Sequence, residues 1–304
     1  MPILEKTEMI LNAVGRNVPE TVNGRPQVAY VGVGKYQPIG RKAAPPIRTA
    51  ADYPANGDKR VANLETALRK CGLRDGMVIS SHHHLRDGDR VALMALEAAS
   101  LMGVKDLTWF PSASFPSQRS AIALMEAGII DHIEGSMNGP LGDYCTRGKM
   151  RGMGVLRSHG GRWQAIQDGE VHIDVAVIAA PTADPFGNCD GSHGKSACGS
   201  LGFALADSIY ADHVIVVTDN LVPSLASRGK SRATMSTTLL KWSRSAIPQK
   251  SFPEAPKSRA RLTACASPNS SQGSCAMPES CATASPSRQD RAESLWRSSA
   301  ISSR

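Results

Sequence analysis

No run of about 18 apolar residues occurs anywhere in this 304-residue chain, so the sequence offers no helix able to cross a membrane. An apolar signal core is also missing: residues 1–8 already carry Glu5, Lys6 and Glu8, and the cytoplasm is the expected compartment. Cys-x-x-Cys spacing does not occur. The seven cysteines are odd in number and scattered, as reduced thiols would be, and form neither a disulfide frame nor a zinc site. Three catalytic or nucleotide signatures are absent as well. There is no Walker A loop, no Gly-x-Gly-x-x-Gly after a strand and no Gly-x-Ser-x-Gly elbow, so NTP binding, NAD binding and a serine hydrolase are not supported. Aromatics make up 5% of the residues.

The net charge of +8 suggests nucleic acid until it is located. Residues 224–304 hold 13 Lys/Arg against 4 Asp/Glu, whereas residues 1–223 hold 22 against 23. The folded part is therefore near neutral, and a basic tail without interleaved aromatics points to no nucleic-acid partner.

Between Asp58 and Thr218 helical and strand periods alternate. Val61, Leu64 and Leu68 share a helical face closed by Gly72. Strands are expected at Met77–Ser81, Leu107–Phe110, Ile129–Ile133, Ile173–Ile178 and His213–Thr218. Asp89 is placed to cap a second helix that stops at Gly103, and Pro116 opens a third that ends near Gly128. Trp163–Gln167 and Glu170–Ala179, flanking Asp168-Gly169, read as a hairpin. The alternation predicts an α/β domain with an open, mostly parallel sheet and helices on both faces. The division is an irregular arm over 1–50, the α/β domain over 51–223 and a Ser/Arg-rich tail over 224–304. In that tail Ser is about a quarter of the residues and Val, Tyr and His do not occur. With so little apolar surface, the entropy lost on ordering has no offset, so disorder is expected there.

Three segments carry the right chemistry for a site. His82-His83-His84 follows a strand at the carboxyl edge, where open α/β sheets place ligands; alternation sends His82 and His84 to one face and His83 to the other. Neutral or charged imidazoles suit an anion or acyl group, and a merely structural histidine run is the other reading. A metal site needs a third ligand and a carboxylate partner that the spacing does not supply, so no metal is expected. Ser158-His159-Gly160-Gly161-Arg162 joins close backbone approach to a guanidinium, which fits a carboxylate, phosphate or thioester oxygen, or else a turn with a solvated Arg. The glycine-rich stretch from Gly187-Asn188 to Gly199-Ser200-Leu201-Gly202 is either a connector or the lead into an anion-binding helix N-terminus. Cys198 lacks a recognisable base and is not expected to act as a nucleophile.

These segments stand in the order of a known family. Gly15-Arg16-Asn17-Val18-Pro19-Glu20, Gly40-Arg41-Lys42, Asp52–Arg60, Asn63-Leu64-Glu65, Ser80–Asp89, Ser158–Arg162, Asp184–Asn188, Gly191, Gly194-Lys195 and Cys198–Gly202 together resemble the N-terminal half of citrate lyase alpha chains, the citrate CoA-transferase subunits. The resemblance implies a CoA-transferase-like fold of two related halves with the site between them. It also implies exchange of acetate for citrate on the thioester of an acyl carrier, through an acyl anhydride. The partners implied are the lyase beta subunit and the acyl carrier (gamma) subunit, whose dephospho-CoA-type prosthetic group is acted upon; no cofactor is bound directly. His82, His83, His84, His159, Gly160, Gly161, Arg162, Asn188, Gly199, Ser200 and Gly202 are the substrate-binding candidates, with Arg41, Lys42, Lys59 and Arg60 as further cations. No residue is given a catalytic role.

The second half of that fold has no counterpart after Pro223. Permitted codons for Leu225–Lys241, read one nucleotide out of register, spell a peptide ending Asn-Asn-Val-Asp-Tyr-Val-Val-Glu-Val. The same offset turns Ala246–Phe252 into Gly-Asp-Pro-Ala-Glu-Ile-Phe. Both resemble the family's continuation, so a frameshift near Ser224 is expected to have replaced it, leaving the chain weakly active or inactive. The alternatives are a non-catalytic remnant that binds lyase partners, and another CoA-transferase or thioester hydrolase.

Overall fold

The computed structural model describes residues 8–35, 43–47, 56–85, 88–225 and the backbone of 238–241, all within the unit Met1–Lys250. The arm expected to be irregular contains two short antiparallel ribbons. β1 (Met9–Leu11) pairs with β2 (Asn17–Pro19), and β3 (Thr21–Val22) pairs with β4 (Arg25–Pro26). Asn23 and Gly24, both at positive φ (50° and 73°), turn the second ribbon, and Asn-Gly is the strongest short hairpin signal. The Asn23 amide exchanges two 2.8 Å hydrogen bonds with the Met153 backbone. Arg25 reaches the Glu170 carbonyl and pairs with the buried carboxylate of Glu134.

In the α/β part the elements run β5 (Arg60–Val61), α1 (Leu64–Lys70), β6 (Val78–Ser81), α2 (Val91–Leu101), β7 (Leu107–Pro111), α3 (Ala121–Glu126), β8 (Ile130–Ile133), α4 (Pro140–Thr146), α5 (His159–Gln167) and β9 (Val175–Ala179). Then come β10 (Thr182–Ala183), β11 (Cys189–Asp190), α6 (Gly202–Tyr210), β12 (His213–Thr218) and β13 (Thr238–Lys241). Seven strands form a sheet in the order β5-β13-β12-β9-β6-β7-β8, with every pairing parallel. The expected α/β architecture, helices on both faces included, is what the chain adopts.

Period-2 alternation divides each strand between two cores. Val175, Val177, Ile215, Val217, Ile79 and Trp109 face α1–α4. Ala176, Ile178, Val214, Val216 and Phe110 face α5 and α6. Each fully buried aliphatic side chain contributes about 1.5–3 kcal/mol. Local chemistry sets the helix limits. The Asn63 side chain accepts from Thr66 N at 2.8 Å to start α1, and Gly72 (φ 65°) ends it. Among the described residues no helix is long and apolar enough to cross a membrane.

Two expectations fail on particular elements. Trp163–Gln167 is the second half of α5 and not a hairpin arm. Ser158 caps that helix, and Asp168-Gly169 closes it with Gly169 at φ 73°. The residue types that make a two-residue turn also make a helix C-terminus, hence the misreading. A strand also lies in the Ser/Arg-rich stretch expected to be disordered: β13 pairs with β12 on one side and β5 on the other.

Candidate functional site

The chain runs from β6 through β7 to β8 toward one edge of the sheet, then returns to β9 on the other side of β6. Between β6 and β9 the winding direction therefore reverses, and a crevice opens at the carboxyl ends of such a strand pair. His82, His83 and His84 continue directly from β6 into that place.

The three rings take different roles. His82 is buried beneath the edge, its Nε2 3.1 Å from Asp207 Oδ2 on α6. His84 stacks on His82 with centroids 5.1 Å apart, so the expected sharing of a face holds for this pair. Burial, and then the neighbouring His82 and His83, push the His84 imidazole down to about 3, against an opposing pull from the Ala179 backbone. His84 is accordingly neutral at physiological pH.

Arg162 does not behave as the sequence suggested. It is 2% exposed. Its guanidinium grips Asp207 through Nη1–Oδ1 (2.9 Å) and Nη2–Oδ2 (3.0 Å), donates to Ser80 Oγ (2.7 Å) and lies 4.4 Å over the Phe110 ring. Ser80 Oγ in turn contacts Asp207 Oδ2. Burial alone would raise the Asp207 carboxyl, but Arg162 and His82 outweigh it and hold that group well below the usual carboxylate range. This arrangement is a closed charge pair that locks α5 and α6 onto β6. The Arg162 guanidinium is engaged with protein groups and is not presented to a substrate.

The accessible rim lies above it. His159 is the first residue of α5 and Phe203 the second of α6, and their rings stand 4.8 Å apart. His83 sits 5.4 Å from Phe203, 6.3 Å from His159 and 6.1 Å from Phe115. The first turns of two helices thus meet beside His83 through the rings of His159 and Phe203; unpaired N–H groups at such helix starts suit an anion. Ser158 Oγ takes the Gly161 N–H at 3.0 Å, and Gly160 in the same first turn of α5 is exposed. Gly202 opens α6 after the exposed Ser200. Gly199 N donates to Gly191 O at 3.1 Å, which shapes this lead-in.

Asn188 is not brought to the rim by its hydrogen bonds. Its amide and backbone N–H both bind Asp184 in the β10–β11 turn, at 2.9 and 3.0 Å. Arg41 and Lys42 fall outside the described residues. Lys59 is buried, and Arg60 pairs with Asp58 at 2.8–2.9 Å.

The profile of the citrate lyase alpha subunit family matches residues 57–234. The chain belongs to that family. It is 38% identical over 179 residues to the citrate lyase alpha chain of Escherichia coli (strain K12), covering 59% of this chain and 35% of that one. Against the Klebsiella pneumoniae alpha chain it is 42% identical over 161 residues, 53% of this chain and 32% of the relative. It thus spans about a third of the length of the curated relatives it matches. A crystal structure of a citrate lyase alpha subunit from Streptococcus mutans in complex with citrate aligns with a TM-score of 0.62 at 33% identity, over 78% of this chain and 45% of that one.

For a citrate lyase alpha family member, the residues that sequence reasoning missed are those that hold the candidates. Asp207 and Ser80 bind Arg162, Phe203 packs on His83 and His159, and Ser112 lies 2.6 Å from His83 Nδ1. Asp207 had a signal: it is the charged residue at a core position in the mostly apolar α6. A fully buried carboxylate requires a partner.

Proposed function

We propose that this chain builds one wall of a citrate:acetyl-carrier acyl-exchange site, the crevice between β6 and β9. The supporting observation is the convergence of His83, His159 and Phe203 at the N-termini of α5 and α6, beside the switch point. Membership of the citrate lyase alpha family supplies the reaction class. A citrate carboxylate needs hydrogen-bond donors, and helix amides and imidazole N–H groups are donors of the right kind.

In the exchange, a citrate carboxylate oxygen attacks the acetyl thioester carbonyl of the carrier's dephospho-CoA-type arm. The C–S bond breaks, giving a mixed anhydride and a thiolate. The thiolate then attacks the citryl carbonyl of the anhydride, and the bond from that carbon to the bridging oxygen breaks, so that acetate leaves with the oxygen and its electron pair. Charge is conserved through both steps, and the protein's task is to hold the two reactants in line and stabilise each oxyanion.

The family profile matches nothing beyond residue 234, and the reading places the opposite wall of the site in sequence that residues 235–304 do not resemble. Turnover by this polypeptide alone is therefore expected to be at least about 100-fold below that of a full-length alpha chain, since misplacing reactants by about 1 Å already costs that much. The check is release of labelled acetate from acetyl-carrier in the presence of citrate. Near-normal turnover would show that the wall described here needs no counterpart.

A further inference from the structure

Ser112, just past β7, meets His83 twice. Its Oγ accepts the His83 backbone N–H at 3.1 Å and lies 2.6 Å from His83 Nδ1. The two are rigidly placed, because Ser112 N donates to Ser81 O at 3.0 Å and Trp109 Nε1 donates to Ser81 Oγ at 2.9 Å across paired strands. The following turn is fixed by Asn138, whose amide donates to Ser114 O at 2.8 Å. Gly135 lets this turn close: at φ 147° a side chain there would run into Pro111 O.

A hydroxyl has one proton and two lone pairs. Ser112 is 7% exposed, and a buried hydroxyl that donates to nothing costs about 1–3 kcal/mol. Its oxygen already accepts the backbone N–H, and among the described residues the acceptor within reach of its proton is His83 Nδ1. A proton on Nδ1 would leave the hydroxyl proton without an acceptor. We infer that Ser112 is a positioning residue that donates to His83 Nδ1, fixes the ring as the Nε2–H tautomer and makes His83 a donor to a substrate oxygen. On this assignment His83 stabilises charge at a carboxylate or thioester oxygen and does not take a proton at Nε2. The identity of that oxygen rests on the acyl-exchange reading; the tautomer does not.

The test is long-range 1H–15N correlation on the ring of His83 in the full chain, assigned by His83→Gln. The wild type is expected to show Nδ1 unprotonated and Nε2 protonated as a single tautomer. Ser112→Thr, which keeps the hydroxyl, retains that pattern, and Ser112→Ala moves both nitrogens toward averaged values. A protonated or averaged Nδ1 in the wild type overturns the assignment, as does an unchanged pattern in Ser112→Ala. Should the alanine variant not fold, the wild-type and threonine spectra still decide. The expected tautomer without any ring response to citrate would sink the acyl-exchange reading and leave the role of Ser112 standing.

Discussion

Asp207 and Arg162 carry the clearest energetic statement at the scale of single residues. Both are essentially buried and are joined by two hydrogen bonds. Removing one member of such a pair strands the remaining charge in a low-dielectric interior, which costs about 3–5 kcal/mol. Arg162→Met is therefore expected to lower the unfolding free energy by that order, and Arg162→Met combined with Asp207→Leu to recover most of it. Urea unfolding of the three proteins measures this, and a single-variant loss below about 1 kcal/mol would show that the pair is solvated. The sequence could not disclose the pairing, since the partners are separated by 45 positions on different helices. A guanidinium following two glycines looks free until the fold brings a carboxylate to it. The same limit hid Ser112, 29 residues from His83. Asp89 was legible because its role is local: its Oδ1 takes the Val91 N–H at 2.8 Å at the start of α2. Burial raises its carboxyl to about 6 against that hydrogen bond.

Elements were legible wherever the period was strong and the termini carried their own signals. The run His213–Thr218 is β12 to the residue, and α1 ends at a glycine in the left-handed region as its sequence requires. Errors fell where one residue type serves two geometries, as at Asp168-Gly169. β13 is instructive for a different reason. Counted codon by codon, the Tyr-Val-Val-Glu of the displaced reading frame falls on positions 238–241, the four residues of β13. An interior slot of a parallel sheet, paired on both sides, calls for β-branched and aromatic residues. The displaced frame supplies them and Thr-Leu-Leu-Lys supplies fewer. Nucleotide sequencing across codons 220–245 is expected to show a one-base insertion or deletion. An uninterrupted frame on a second independent clone would refute that origin for the tail.

At the scale of the molecule, a parallel sheet places its crevice where the winding reverses, and the proposed acyl exchange is assigned to that crevice. The opposite, amino edge of the sheet offers an internal control. There His172, Asp174 and Asp212 cluster with ligand atoms within 4.8 Å of one another, with His172 paired to Asp212 at 2.8 Å and Asp174 accepting from Val78 N at 2.7 Å. None of the site candidates belongs to that group. The most direct measurement is a citrate titration of the 15N-labelled chain followed through its histidine rings. Saturable shifts at His83 and His159 with His172 unmoved are the expected result. Shifts confined to His172, or spread evenly over all the rings, would contradict a citrate site between β6 and β9.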